Sequence, residues 1–251
     1  MKYKKLIVFG DSYSYGHGLP DCFESPVGPG NKPSKLTYAD QLAEQLNIPE
    51  VLNFSVPGAS NKLLNYKIIS YGNFTEQDLV LVQFSFKERT FYLNKHANAE
   101  MVGTWRLDPT ESEHLLEEWE YFLRRSKHEI LIDSYLSILL ALTFLDSKPC
   151  DFHCMTCDNI QFTYEHLVNE NNMNIAEGLH TANLYQDNFI RNTINYVKSK
   201  MTLQEEFFNF WKYSNDFNDI GLDNSHPGLK SHKYLAELIS KKINPTNKST
   251  I

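Results

Sequence analysis

The segment Asp78-Leu79-Val80-Leu81-Val82-Gln83-Phe84 is the feature that most restricts the fold. Successive side chains of a strand point to opposite faces. A strand apolar at every interior position up to Val82 must therefore be covered on both faces. Strands of that kind belong to parallel sheets flanked by helices. The other short apolar runs fit the same plan. Lys4 to Phe9 and Val51 to Phe54 read as a first and a second strand, Asp78 to Phe84 as a third, and Cys150 to Cys157 as a fourth. Helical patterns alternate with them. Thr37-x-x-Asp40 can cap a helix that runs through Leu42, Ala43 and Leu46. A helix after Ser60 carries Leu63, Leu64 and Ile68 on one face. Residues 111–125, 128–146, 181–199 and 203–213 read as further helices, and a last helix carries Tyr234, Leu235, Leu238 and Ile239. Residues 16–34, rich in Gly and Pro, read as a long loop, residues 158–180 as irregular, and Gly221 to Gly228 as a loop. The class is α/β with a parallel sheet. With no internal repeat or dividing linker, residues 1–251 read as one domain, with 244–251 a flexible tail.

Of the 251 residues 41% are hydrophobic, enough for one sizeable core. Lys and Arg number 24 against 31 Asp and Glu, a net charge of −7. The arginines, Arg89, Arg106, Arg124, Arg125 and Arg191, are scattered, so no basic stripe exists for a phosphate backbone and nucleic acid is not an expected partner. No run approaches the roughly 18 apolar residues of a membrane helix. Leu6 to Phe9 is too short for a signal-peptide core, so the chain is expected to begin at residue 1 and to work in the cytosol. Four cysteines are too few for a disulfide framework.

Three separate segments carry chemistry. Ser12, in Gly10-Asp11-Ser12, stands just past the first strand, at the carboxyl edge where open α/β sheets bind ligands. Gly58, in Asn53-Phe54-Ser55-Val56-Pro57-Gly58-Ala59-Ser60, lies where the second strand turns into a helix, and its amide is free to point into the same crevice. His226 closes Asp223-Asn224-Ser225-His226, before the last helix. An Asp three residues before a His can hold the imidazole in one tautomer, and the His can then take a proton from the serine.

These three blocks, in this order, resemble those of the SGNH, or GDSL-like, hydrolases. The resemblance implies a flavodoxin-like α/β/α sandwich with a five-stranded parallel sheet. It implies hydrolysis of an ester, such as an acetylated carbohydrate, a lipid or a thioester, through an acyl-enzyme on Ser12 with Asp223 and His226 completing a triad. No cofactor or metal is implied. The family's third block is Gly-x-Asn-Asp, and its Asn donates to the oxyanion. Here Gln83 stands for the Gly and Ser85 for the Asn, so the expected oxyanion hole is the amides of Ser12 and Gly58 with the hydroxyl of Ser85. This divergent third block is similar to that of phage-encoded members. Asp11, Asn61 and Arg89 flank the blocks and are candidates for contacts to substrate.

Two other functions fit parts of the sequence. A member lacking the third-block Asn could serve as a binding module of little catalytic power. Cys150-x3-Cys154-x2-Cys157, with His153, resembles the cluster motif of radical S-adenosylmethionine enzymes and suggests an iron–sulfur or zinc enzyme. On a strand, however, Cys150 and Cys154 face one side and Cys157 the other, so these cysteines are expected to pack the core. The remaining histidines show no pairing pattern, and the oligomeric state is not encoded in any recognisable segment.

Overall fold

The structure, a computed structural model, describes residues 2–24, 28–87, 89–93, 99–102, 127–157 and 192–244. Its elements are β1 (Lys5–Phe9), α1 (Ser12–Tyr15), β2 (Phe23–Glu24), β3 (Gly28–Pro29), α2 (Tyr38–Leu46), β4 (Glu50–Asn53), α3 (Asn61–Tyr71), β5 (Asp78–Phe84), β6 (Thr90–Leu93), β7 (Ala99–Val102), α4 (Lys127–Asp146), β8 (Asp151–Thr156), α5 (192–200), α6 (Gln204–Asp216) and α7 (Leu229–Ile243).

The main sheet has the order β4-β1-β5-β8, and every pairing in it is parallel. All four of its strands match the apolar runs of the sequence. The resemblance implied five strands, and the described residues supply four. Alternation along each strand divides the core. Leu6, Val8, Leu79, Leu81 and Met155 face α2, α6 and α7, where they meet Leu42, Phe207, Phe210 and Leu235. Ile7, Phe9, Val80, Val82, Phe84 and Cys154 face α3, α4 and α5, where they meet Leu64, Ile68, Leu142 and Val197. The result is a three-layer α/β/α sandwich. Each fully buried Val, Leu or Phe stabilises it by about 1.5–3 kcal/mol relative to exposure, and every residue of β5 is buried.

The cap read at Thr37 is present, and α3 has one at Ser60 as well. The Thr37 hydroxyl accepts the Asp40 amide at the head of α2, and the Ser60 hydroxyl accepts the Leu63 amide at the head of α3. The antiparallel pair β6–β7 carried no recognised strand signal. The helix read over 111–125 and the irregular stretch 158–180 lie outside the described residues, as does 245–251 of the tail. Of the helix read over 181–199, residues 192–199 fall within α5. Among the described residues no helix is long and apolar enough to cross a membrane.

The order of the strands reverses at β1. The chain goes from β1 to β4 on one side, then crosses to β5 on the other. The carboxyl ends of β1 and β5 therefore open onto one crevice, the position where doubly wound sheets bind ligands.

Candidate active site

Gly10 ends β1 against a wall. A Cβ there would lie 2.6 Å from Ser14 Cβ and 3.0 Å from Gln83 Oε1, so only glycine fits. Asp11 then starts α1 as its N-cap, its Oδ1 accepting the Tyr13 amide at 3.1 Å. Ser12 is the first residue of that helix and is 4% exposed. The helix is one turn long, and Gly16, at φ +79°, ends it.

Asp11 is fully buried, so its charge needs partners. Arg89 Nη1 donates to Asp11 Oδ2 at 2.7 Å, and the Ser85 hydroxyl donates to the same oxygen at 2.9 Å. Arg89 Nη1 also donates to Ser85 Oγ at 2.8 Å. Asn61 holds the backbone of Ser85 from both ends: its Oδ1 accepts the Ser85 amide at 2.7 Å, and its Nδ2 donates to the Ser85 carbonyl at 3.0 Å. Asp11, Asn61, Ser85 and Arg89 thus form one network beside Ser12. Ser85 stands beyond β5 as expected, but its single proton points to Asp11. Gln83 ties β5 to α1, its Oε1 accepting the Ser14 hydroxyl at 2.9 Å. That proton being committed, Tyr38 donates its own to Ser14 Oγ at 2.7 Å.

Gly58 lies in the turn between β4 and α3 at φ +76°, a left-handed conformation that favours glycine. Neither its amide nor that of Ser12 has an acceptor among the described residues.

The third block arrives on the loop between α6 and α7. His226 Nδ1 lies 2.5 Å from Asp223 Oδ2, and the His226 and Ser225 amides each donate to Asp223 Oδ1 at 3.1 Å. Burial pushes the Asp223 carboxyl up, but the hydrogen bonds from His226 and Ser225 outweigh it and hold the pKa below the usual value. An ionised carboxylate only accepts, so Nδ1 carries a ring proton, and in the neutral ring the lone pair then lies on Nε2. The loop packs on the turn that follows α1. Leu222 N donates to Gly18 O at 2.7 Å, and a Cβ on Gly221 would meet that same oxygen at 2.8 Å. This contact sets the His226 ring 5.2 Å from the ring of Tyr13, the neighbour of Ser12.

Sequence reasoning missed His17. Its ring is stacked on that of His226, with centroids 4.5 Å apart. The available signal was its place between Gly16 and Gly18, five residues beyond Ser12. His17, Asp223 and His226 each offer one metal-ligand atom within 4.8 Å of the others. Imidazole lone pairs lie in the ring plane, however, and two stacked rings do not direct theirs at one point. The trio is built as a hydrogen-bonded pair with a ring laid over it, not as a ligand set. The cysteines are separated by the sheet: Cys150 and Cys154 lie in the core under α3 and α4, while Cys157 packs on the other side. Burial pushes the Cys150 thiol up to about 11 and the Cys154 thiol higher, so both stay protonated.

A family model described as GDSL-like lipase/acylhydrolase matches residues 6–239. No curated protein matches the sequence. Similar solved structures include the crystal structure of TesA, at 11% identity and a TM-score of 0.48, covering 96% of this chain and 98% of that one. A variant of Axe2, an acetyl xylan esterase from Geobacillus stearothermophilus, has 16% identity and a TM-score of 0.44, with 97% of each chain covered. The psychrotrophic esterase EstA from Pseudoalteromonas sp. has 8% identity and a TM-score of 0.46, covering 97% of this chain and 98% of that one.

Proposed function

The chain belongs to the GDSL-like lipase/acylhydrolase family of ester hydrolases, and on that premise we propose that Ser12 is its nucleophile, His226 its general base and Asp223 the group that orients the base. Ser12 Oγ attacks the ester carbonyl while His226 Nε2 takes its proton. The tetrahedral oxyanion is met by the Ser12 and Gly58 amides. When it collapses, His226 returns the proton to the departing alcohol, leaving Ser12 acylated. Water attacks the acyl group with the same base, and the carboxylic acid leaves. No step calls for a metal or cofactor.

The observation that carries this reading is the Asp223–His226 bond of 2.5 Å on a loop packed against the turn that follows Ser12. It supports the Nδ1–H tautomer, the one in which Nε2 can accept a proton. Ser85 acts at one remove. To donate to an oxyanion it would have to give up a charge-assisted bond to Asp11, so its work is to help hold Asp11, the cap of α1. The substrate is a small-molecule, glycan or lipid ester, and acetyl esters of carbohydrates are the first class to try.

The test is hydrolysis of p-nitrophenyl esters from short to long acyl chains, with Ser12→Ala as the comparison. Hydrolysis should vanish in Ser12→Ala, and so should labelling by a fluorophosphonate probe, with the fold unchanged. Hydrolysis that persists in a folded Ser12→Ala protein rejects the nucleophile. The engagement of Ser85 by Asp11 favours a second reading, a member that binds its ligand with little turnover. Ligand binding by the wild type without turnover or labelling would select it.

A further inference from the structure

The turn leaving α1 does more than end a helix. His17 N donates to the Ser12 carbonyl at 3.0 Å, and the next residue, Gly18, has φ +89°. A Cβ on Gly18 would lie 2.6 Å from Asp223 Oδ1, so glycine lets the turn close onto the carboxylate. This fixes the His17 ring over His226, with an interplanar angle of 29°. His17 Nε2 lies 3.7 Å from Asp223 Oδ2, the oxygen that also accepts His226 Nδ1–H. One carboxylate oxygen is therefore faced by two imidazoles.

We propose that His17 is a positioning residue of this site: its neutral ring braces His226 from one face, and its protonation in acid withdraws Asp223 from His226. The proposal rests on the triad reading above. Among the described residues the His226 ring is hydrogen-bonded through Nδ1 alone, so a flat surface against the ring restricts tilt that the Asp223 bond permits. When His226 takes the Ser12 proton it becomes a cation, and a neutral π-face stabilises a cation above it. A charged His17 does the reverse. It repels the imidazolium, and 3.7 Å from Asp223 Oδ2 it competes for the carboxylate.

Among the described residues the titratable groups facing His17 are Asp223 and His226, from the α6–α7 loop. Tyr13, on α1 beside His226, stays uncharged because burial pushes its phenol up. Burial and the neighbouring His226 push the His17 pKa below 6.5 and Asp223 pulls it back only in part, so the ring is neutral at neutral pH.

The test compares wild type, His17→Ala and His17→Phe. The Phe side chain keeps a flat ring and removes the titrating nitrogen. Rates on p-nitrophenyl acetate are taken from about pH 5 to pH 9. His17→Ala should lower kcat about tenfold with KM nearly unchanged, and His17→Phe should recover most of it near pH 8. The acid limb of kcat/KM should fall with a slope approaching two protons in wild type and with a slope of one in His17→Phe. A second readout needs no turnover: the far-downfield proton resonance of His226 Nδ1–H, bound to Asp223. It should be present in wild type and His17→Phe and broadened away in His17→Ala. A wild-type kcat and an unchanged resonance in His17→Ala, together with a single-proton acid limb in the wild type, would overturn the proposal. Activity surviving in Ser12→Ala would instead reject the nucleophile, and the resonance would still report on His17.

Discussion

The Asp223–His226 bond separates two jobs that a single substitution can distinguish. In the proposed mechanism Asp223 fixes the tautomer and direction of the ring, while His226 moves the proton. His226→Ala should therefore reduce kcat more than Asp223→Asn, and steady-state kinetics of the two folded variants, compared on one ester, measures the difference. Equal losses would mean that the pair acts as one unit. The prediction for Ser85 runs through Asp11. Removing the hydroxyl takes one of the groups that hold a buried carboxylate, which in turn caps the helix beginning at Ser12. Ser85→Ala should lower kcat about tenfold, near 1.4 kcal/mol of transition-state free energy. KM should change little, and the melting temperature should fall as well. A drop in rate with full thermal stability would point to a direct bond with the oxyanion.

At the scale of elements, the carboxyl-edge crevice depends on how α7 is started. Gly228 occupies its N-cap and supplies no side-chain bond. Asp219, nine residues earlier, does this work from outside the helix. Its Oδ2 accepts the Ser231 amide at 2.6 Å and the Ser231 hydroxyl at 2.7 Å, and its carbonyl accepts the Gly228 amide at 2.7 Å. A carboxylate here also meets the positive end of the helix dipole. The same bonds close the loop that carries Asp223 and His226. Asp219→Ala should cost about 1–2 kcal/mol, roughly 2–8 °C in Tm for a chain of this size, and should slow hydrolysis because the loop loses its anchor. Asp219→Asn keeps the acceptor oxygen and should retain most of both. Thermal melts and rates on the same preparations check this, and an intact loop in Asp219→Ala would appear as lost stability with an unchanged rate.

At the scale of the whole molecule, a buried histidine sets how stability responds to pH. His232, on α7, is 1% exposed. Its Nδ1 accepts the Tyr38 amide at 3.1 Å, so the ring joins α7 to α2, and it packs between Tyr38 and Phe210. Burial drives its pKa down from 6.5 to about 3, with Asp219 opposing the shift and His226 adding to it. Between these values the unfolded chain binds a proton that the folded chain refuses. Its contribution is complete above pH 6.5 and is lost as the pH falls toward 3, at about 1 kcal/mol per pH unit. His17, also pushed down by burial, adds the same sign. Asp223, held below its ordinary value of 3.8, lends stability lost only at lower pH. Urea midpoints should therefore drop between about pH 7 and pH 5 in wild type, and the drop should be smaller in His232→Gln. An equal drop in both proteins would remove His232 from the account.

The sequence by itself determined the sheet, because a strand covered on both faces has to be apolar along its whole length. Asp78–Phe84 carries that pattern without help from distant residues, and the cap at Thr37 is equally local. The Asp223-x-x-His226 pair was legible for the same reason, since its bond spans one loop. What depends on residues far apart in the chain was not legible. The spacing of Ser85 from Asp78–Phe84 marked its position, but only folding brought Asp11 and Arg89 within reach and so turned its hydroxyl toward Asp11. His17 looked like one more loop histidine until the α6–α7 loop docked on Gly18. Asp219 and His232 likewise acquire their roles from partners 12 and 194 residues away. Apolar periodicity is written along a chain, whereas the direction of a hydroxyl or the partner of an imidazole is fixed by what the fold sets beside it.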